Sequence, residues 1–225
     1  MSTSFQVALW IQLLAAGLGG LQGALFAAGE RDRRIDVLGV IVIGLTMSLG
    51  GSLLRDVVLN QPPVVVWENW YLPVAGVSAV LGMALHPVFA RATWVVTVLD
   101  AVVMGLFGAI AASKASSLGV GEAGALVVGV IGAIGGGLLR DVVLGLPLSI
   151  LRVGTLYAVA AGAGVGVLVL LTAFGVRTPV AGLGCVVVTA SVRLAAIRFR
   201  WTFPEQRAVR LRRAKDRRPV REPTG

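Results

Sequence analysis

Seven stretches of about twenty predominantly apolar residues, the length a helix needs to cross a bilayer core of about 30 Å, follow one another along this 225-residue chain at roughly 7–28, 36–59, 71–89, 94–113, 123–144, 153–174 and 180–199. So occupied, the chain has no room for a soluble domain. In hydrocarbon every backbone N–H and C=O has to be satisfied within the protein, so the spans are expected to be helices and the fold all-α. Composition agrees, with 56% of residues hydrophobic and 14% charged, against about 25% charged in an ordinary soluble domain. The expected fold is a polytopic membrane protein of seven transmembrane helices.

The net charge of +9 is a property of one end. From Arg198 onward there are ten Lys/Arg and three Asp/Glu, whereas residues 1–197 hold ten and eight. A basic segment directly after a membrane span fits a cytoplasmic tail, 200–225, lying near anionic lipid better than a nucleic-acid-binding arm. Alternate loops carry Arg31, Arg33, Arg34, Arg91 and Arg152, while the opposite set carries only Lys114 and Arg177. The positive-inside rule then puts the N-terminus outside and the C-terminus in the cytoplasm. No basic residue precedes the first span, which is not the charge order of a cleaved signal peptide. With one Cys, one His and no nucleophile-and-base or metal-ligand string, neither an enzyme nor a cofactor or metal site is expected.

The chain repeats itself. Residues 50–59 read GGSLLRDVVL and 135–144 read GGGLLRDVVL, nine of ten identical at an offset of 85, and Pro62 and Pro147 keep that offset. Upstream, Gly20, Gly23 and Ala24 match Gly105, Gly108 and Ala109, and a shift of 88 puts Gln12 on Asp100. This gives a first three-helix repeat at 7–89, a second at 94–174, and a seventh helix, 180–199, outside both. Three spans is an odd number, so the repeats are expected to run through the membrane in opposite senses, with a pathway at their interface.

The motif residues are the candidates for that pathway. Gly50, Gly51 and Ser52, with Gly135, Gly136 and Gly137, either kink their helices and free carbonyls toward water or let another helix come close. Arg55, Asp56, Arg140 and Asp141 are costly at membrane depth. Adjacent helical positions diverge by about 100°, so cross-pairing of Arg55 with Asp141 and of Arg140 with Asp56 is expected; the alternative is that each arginine snorkels to its nearer interface. Asp100 is either an inward carboxylate or an interfacial residue beside Trp94. Lys114, about 21 Å further along the same helix, reads as a membrane-edge charge. Arg193 needs an acidic partner or a route to the cytoplasmic surface. His86 before Pro87 reads as a turn residue, Trp67, Trp70 and Tyr71 as an outer aromatic belt, Cys185 as core packing, and 205–222 as a solvated tail.

Two three-span repeats each bearing this glycine-RD string, then a span ending in Arg193, Arg198, Trp201 and Pro204, resemble the prokaryotic branch of the trimeric intracellular cation (TRIC) channel family, also described as a glycine-transporter domain family. The resemblance covers about 7–204. It implies a homotrimer with one ion pathway per protomer, lined by second and fifth helices that break at Gly50–Gly51 and Gly135–Gly137. Members usually have a carboxylate early in the first span, where this chain has Gln12, and a third glycine where it has Ser52, so the first half-site is expected to be the less acidic. The function expected from the resemblance is a passive channel for monovalent cations, K⁺ foremost, in a bacterial inner membrane, with Asp100, Asp56 and Asp141 disfavouring anions. A secondary transporter of a small zwitterion such as glycine is the alternative, and a lipid-binding scaffold the third. The partners expected are the lipid bilayer, monovalent cations and two further copies of the chain, with no nucleic acid.

Overall fold

Among the described residues the apolar runs form eight α-helices: α1 Leu9–Gly29, α2 Val37–Val58, α3 Val64–Trp67, α4 Tyr71–Phe89, α5 Thr93–Ser117, α6 Glu122–Val143, α7 Tyr157–Ala173 and α8 Thr178–Arg198, with a 3₁₀ turn at Ser149–Leu151. The computed structural model describes residues 7–30, 35–89, 92–151 and 156–201. The basic tail and the arginines at 31, 33, 34, 91 and 152 lie outside the described residues. Six helices have at least 18 residues and the apolarity to cross a membrane; α7, with 17 residues, is the shorter apolar helix between them.

The two motif helices end alike. Asn60 and Gly145, 85 residues apart, both take positive φ, 51° and 58°. The next residue in each case, Gln61 or Leu146, donates its N–H back to the carbonyl of Asp56 or Asp141 at 2.8 Å. These are glycine-type helix stops, which satisfy carbonyls that the helix itself leaves open. At the other end of α2, the Asp36 side chain accepts from the Gly39 N–H at 2.7 Å, an N-cap.

Helices α1, α2 and α4 pack together, as do α5, α6 and α7; α2 crosses α6, and α8 lies on α5 and α7. The α2–α6 crossing is reciprocal. A Cβ placed on Gly51 would collide with the Gly132 carbonyl, and one on Gly136 with the Met47 carbonyl, the equivalent pair 85 residues away. Likewise a Cβ on Gly50 would meet Leu139, and one on Gly135 would meet Leu54, each at 2.9 Å. Such exchange of equivalent contacts is the mark of a two-fold axis, here relating the two repeats of one chain.

The glycines therefore act otherwise than expected from the family resemblance. Both helices run unbroken through them, and they are spent on backbone approach. Between membrane helices, which gain nothing from burying apolar side chains out of lipid, closeness of backbones supplies the packing energy. Buried Ser52 completes the run in α2. Cys185 is buried in the α5–α7–α8 core, as its surroundings suggested.

Candidate functional site

Two cavities enter the bundle from opposite ends of the α2–α6 seam. One, of about 350 Å³, is lined by Gln12, Arg55, Gln61, Glu68 and Lys114. The other, of about 590 Å³, is lined by Glu30, His86, Asp100, Arg140, Tyr157 and Arg193 among others. Between them lies a void of about 10 Å³ bounded by Met47, Met104, Phe107 and Gly136. One face of α5 runs the whole way: Asp100 in the larger cavity, Phe107 at the void, Lys114 in the smaller one. Helix α1 runs the opposite way, from Gln12 to Gln22.

The motif charges sit at the inner walls of these cavities. Arg55 Nε reaches Asp56 Oδ1 at 2.7 Å, and Arg140 Nη2 reaches Asp141 Oδ1 at 2.6 Å. Cross-pairing between repeats is thus overturned, and so is snorkelling, since Arg55 is 3% and Asp56 0% exposed. The side-chain directions do diverge, but the long arginine arm wraps across that angle to the nearest buried counter-ion. The carboxylates are held still for it: Asp56 Oδ2 accepts from the Val64 N–H at 2.9 Å and Asp141 Oδ2 from the Ser149 N–H at 2.7 Å, again 85 residues apart.

Each motif is overlaid by the opposite repeat. Lys114 Nζ donates to Asp56 Oδ1 at 2.7 Å, so this charge near the end of α5 is half of a partly buried bridge. In the other half-site the Phe26 ring lies 4.0 Å from the Arg140 guanidinium carbon, within cation–π range. The shift of 88 that aligns Gln12 with Asp100 also aligns Phe26 with Lys114.

Asp100 is the inward carboxylate of its two alternatives. Its Oδ1 accepts from Gln22 Nε2 at 2.6 Å and from the Tyr157 hydroxyl at 3.0 Å. Arg193 of α8 finds its acidic partner here, at 3.6 Å from Asp100 Oδ2, with its guanidinium carbon 4.5 Å from the centre of the Tyr157 ring. In the first half-site the Tyr71 hydroxyl donates to Gln12 Oε1 at 2.7 Å. Tyr71 is 2% exposed and is no part of an aromatic belt, unlike Trp67 and Trp70 at 73% and 63%. Nor is His86 a turn residue: α4 continues through Pro87 to Phe89, because a proline in the last turn forfeits only one helical bond.

Sequence reasoning misassigned Tyr71 and overlooked Tyr157, Gln22 and Phe26; both tyrosines could have been found. A signal for the first two was present, since they are the only tyrosines in the chain and stand 86 apart, almost the repeat offset. Gln22 carried one as well, since an amide within an apolar span needs a polar partner, whereas Phe26 is an ordinary residue there.

Comparison with known proteins agrees with this fold. The family model described as glycine transporter matches residues 9–87 and 97–173. The UPF0126 inner membrane protein YadS of Escherichia coli (strain K12) is 34% identical over 200 residues, covering 87% of this chain and 94% of that protein. A UPF0126 membrane protein of Deinococcus radiodurans is 33% identical over 164 residues, covering 72% and 75%. Among solved structures, a TRIC cation channel studied for its conductance is 25% identical with a TM-score of 0.78, covering 90% of this chain and 98% of that one. The TRIC trimeric intracellular cation channel orthologue from Rhodobacter sphaeroides is 29% identical with a TM-score of 0.77, covering 85% and 97%.

Proposed function

The chain belongs to the glycine transporter family and shares the fold of the TRIC cation channels, and from that premise we propose that it is a passive channel for monovalent cations, K⁺ foremost, with one pathway inside each chain. The observation that carries the reading is the hourglass: two polar cavities end on either side of the glycine seam, separated by a void of about 10 Å³. That is about the volume one water-sized particle requires, so this conformation corresponds to a closed pathway, and conduction requires α2 and α6 to part at Gly51 and Gly136.

The pathway lining favours cations at one end. Asp100 and Glu30 face the larger cavity, Arg193 offsets one of these carboxylates, and both motif arginines are neutralised by their neighbouring aspartates, which among the described residues leaves the charge of Glu30 uncompensated there. By the loop charges, the larger cavity opens to the cytoplasm and the smaller to the outside, which sets the N-terminus outside. The protein is proposed to act as a homotrimer in a bacterial inner membrane, with repeats at 7–89 and 94–174, a seventh helix at 180–199 and the basic tail on the cytoplasmic side. The trimer and the cationic cargo are taken from the channels it resembles, and K⁺ from the family resemblance of the sequence.

Single-channel recording of the purified protein in planar bilayers with asymmetric KCl tests this. Unitary currents reversing near the K⁺ equilibrium potential are expected. The name of the matching family model favours one second reading, a glycine carrier, for which two cavities divided by a thin barrier serve equally well. Saturable uptake of radiolabelled glycine into proteoliposomes, without unitary currents, selects the carrier.

A further inference from the structure

Gln22 borders both the larger cavity and the void at the seam, and is 4% exposed. Its Nε2 donates to Asp100 Oδ1. A carboxylate only accepts, so the amide cannot be turned the other way round, and Oε1 is held off the carboxylate. That Oε1 is buried and has no hydrogen-bond partner. Asp100 meanwhile gives Oδ1 to two donors and presents Oδ2 to Arg193 Nη2 at 3.6 Å, wider than the roughly 2.7–2.9 Å of a charge-assisted hydrogen bond. An acceptor-only oxygen and an anionic oxygen thus stand at the edge of a void sized for one particle stripped of its water.

We propose that Gln22 Oε1 and Asp100 form a site for a single dehydrated monovalent cation at the lip of the constriction, and that Arg193 is a tethered cation competing with it. The inference rests on the cation reading above and names how that pathway is regulated. Oxygen ligands suit a hard alkali cation. Arg193 comes from α8, which neither repeat contains, and the ring of Tyr157 gives its guanidinium a second hold when Asp100 is taken by an ion. The first half-site offers no such arrangement, because Gln12 Oε1 is already occupied by the Tyr71 hydroxyl.

Equilibrium binding of ⁸⁶Rb⁺ to the purified full-length protein in detergent tests the site. One saturable site per chain is expected. Arg193→Gln removes the competitor and should tighten binding about tenfold, and Gln22→Met should weaken it about tenfold, the factor set by one hydrogen-bond-strength ligand to a charge. Arg193→Lys keeps a cation and should stay near the parent affinity. Asp100 is intact in all three variants, so the test does not depend on Asp100→Asn folding. Unchanged Rb⁺ affinity in both Arg193→Gln and Gln22→Met overturns the site. K⁺ currents without saturable Rb⁺ binding would overturn the site while leaving the channel reading standing, whereas binding with these shifts but no current sinks the channel and retains the site.

Discussion

The two half-sites share one geometry and differ in charge. Each has an arginine folded onto its neighbouring aspartate, a backbone N–H eight residues on that holds the aspartate, and a tyrosine hydroxyl donating to the side chain at the mouth of α1 or α5. At that mouth, however, the first half-site has Gln12 and the second Asp100; over the arginine, the first has Lys114 and the second Phe26. The Arg55–Asp56–Lys114 group carries one net positive charge. The Arg140–Asp141–Asp100 group carries one net negative charge, which Arg193 cancels. What survives in both copies is what the backbone enforces, namely helix stops, capped carboxylates and the glycine crossing. What differs is side-chain charge facing a cavity, where no packing constraint opposes a change.

The largest expected effect breaks the two halves apart. Asp56→Asn leaves two cations, Arg55 and Lys114, without a carboxylate and should cost about 3–5 kcal/mol of stability. Asp141→Asn strands only Arg140, which also lies on Phe26, and should cost less; equal losses in denaturant unfolding in detergent would refute the assigned partners. Next, Gly51→Ala and Gly136→Ala each drive a methyl into a carbonyl of the facing helix, for about 1–3 kcal/mol. Because the seam is reciprocal the two values should agree, and clear disagreement in the same assay counts against the two-fold relation. Tyr157→Phe removes a hydrogen bond to a carboxylate, about 1.5–3 kcal/mol, and Tyr71→Phe one to a neutral amide, about 0.5–1.5 kcal/mol. A reversed order would mean that Asp100 is not the acceptor that matters. Lys114→Met should change stability by less than about 1 kcal/mol, since partly exposed pairs contribute little. It should nevertheless raise K⁺ conductance at low ionic strength, a gain that fades in concentrated KCl as the charge is screened. Equal gain at both salt concentrations would speak against an electrostatic role.

The all-α class and the duplicated motif were legible because each is written as a period or an identity: apolar runs of membrane length, and nine of ten residues repeated at an offset of 85; the seven helices expected correspond to the long ones, and the short α3 is the addition. Asp100 as an inward carboxylate was one of two open alternatives, and its partners decide it. The ion pairs were not legible. Angular divergence of Arg55 and Asp56 along the helix argues against their pairing, yet the flexible arm of an arginine outreaches that argument once both are buried. The glycines were half legible, since a run of small residues permits both a break and a close crossing, and only the facing backbone decides. Lys114 looked like a boundary residue because the chain alone does not reveal that Asp56, 58 positions earlier, lies across from it.

The reciprocal seam also bears on ancestry. Contacts in which Gly51 meets the Gly132 backbone while Gly136 meets that of Met47 are those two separate copies of one three-helix chain would make with each other, inserted in opposite senses. In such a pair every substitution falls on both sides at once, so a lysine introduced at one mouth appears at the other. Covalent fusion lifts that constraint. Lys114 opposite Phe26, and Gln12 opposite Asp100, are differences that a pair of identical copies could not keep, and they make the two cavities unlike.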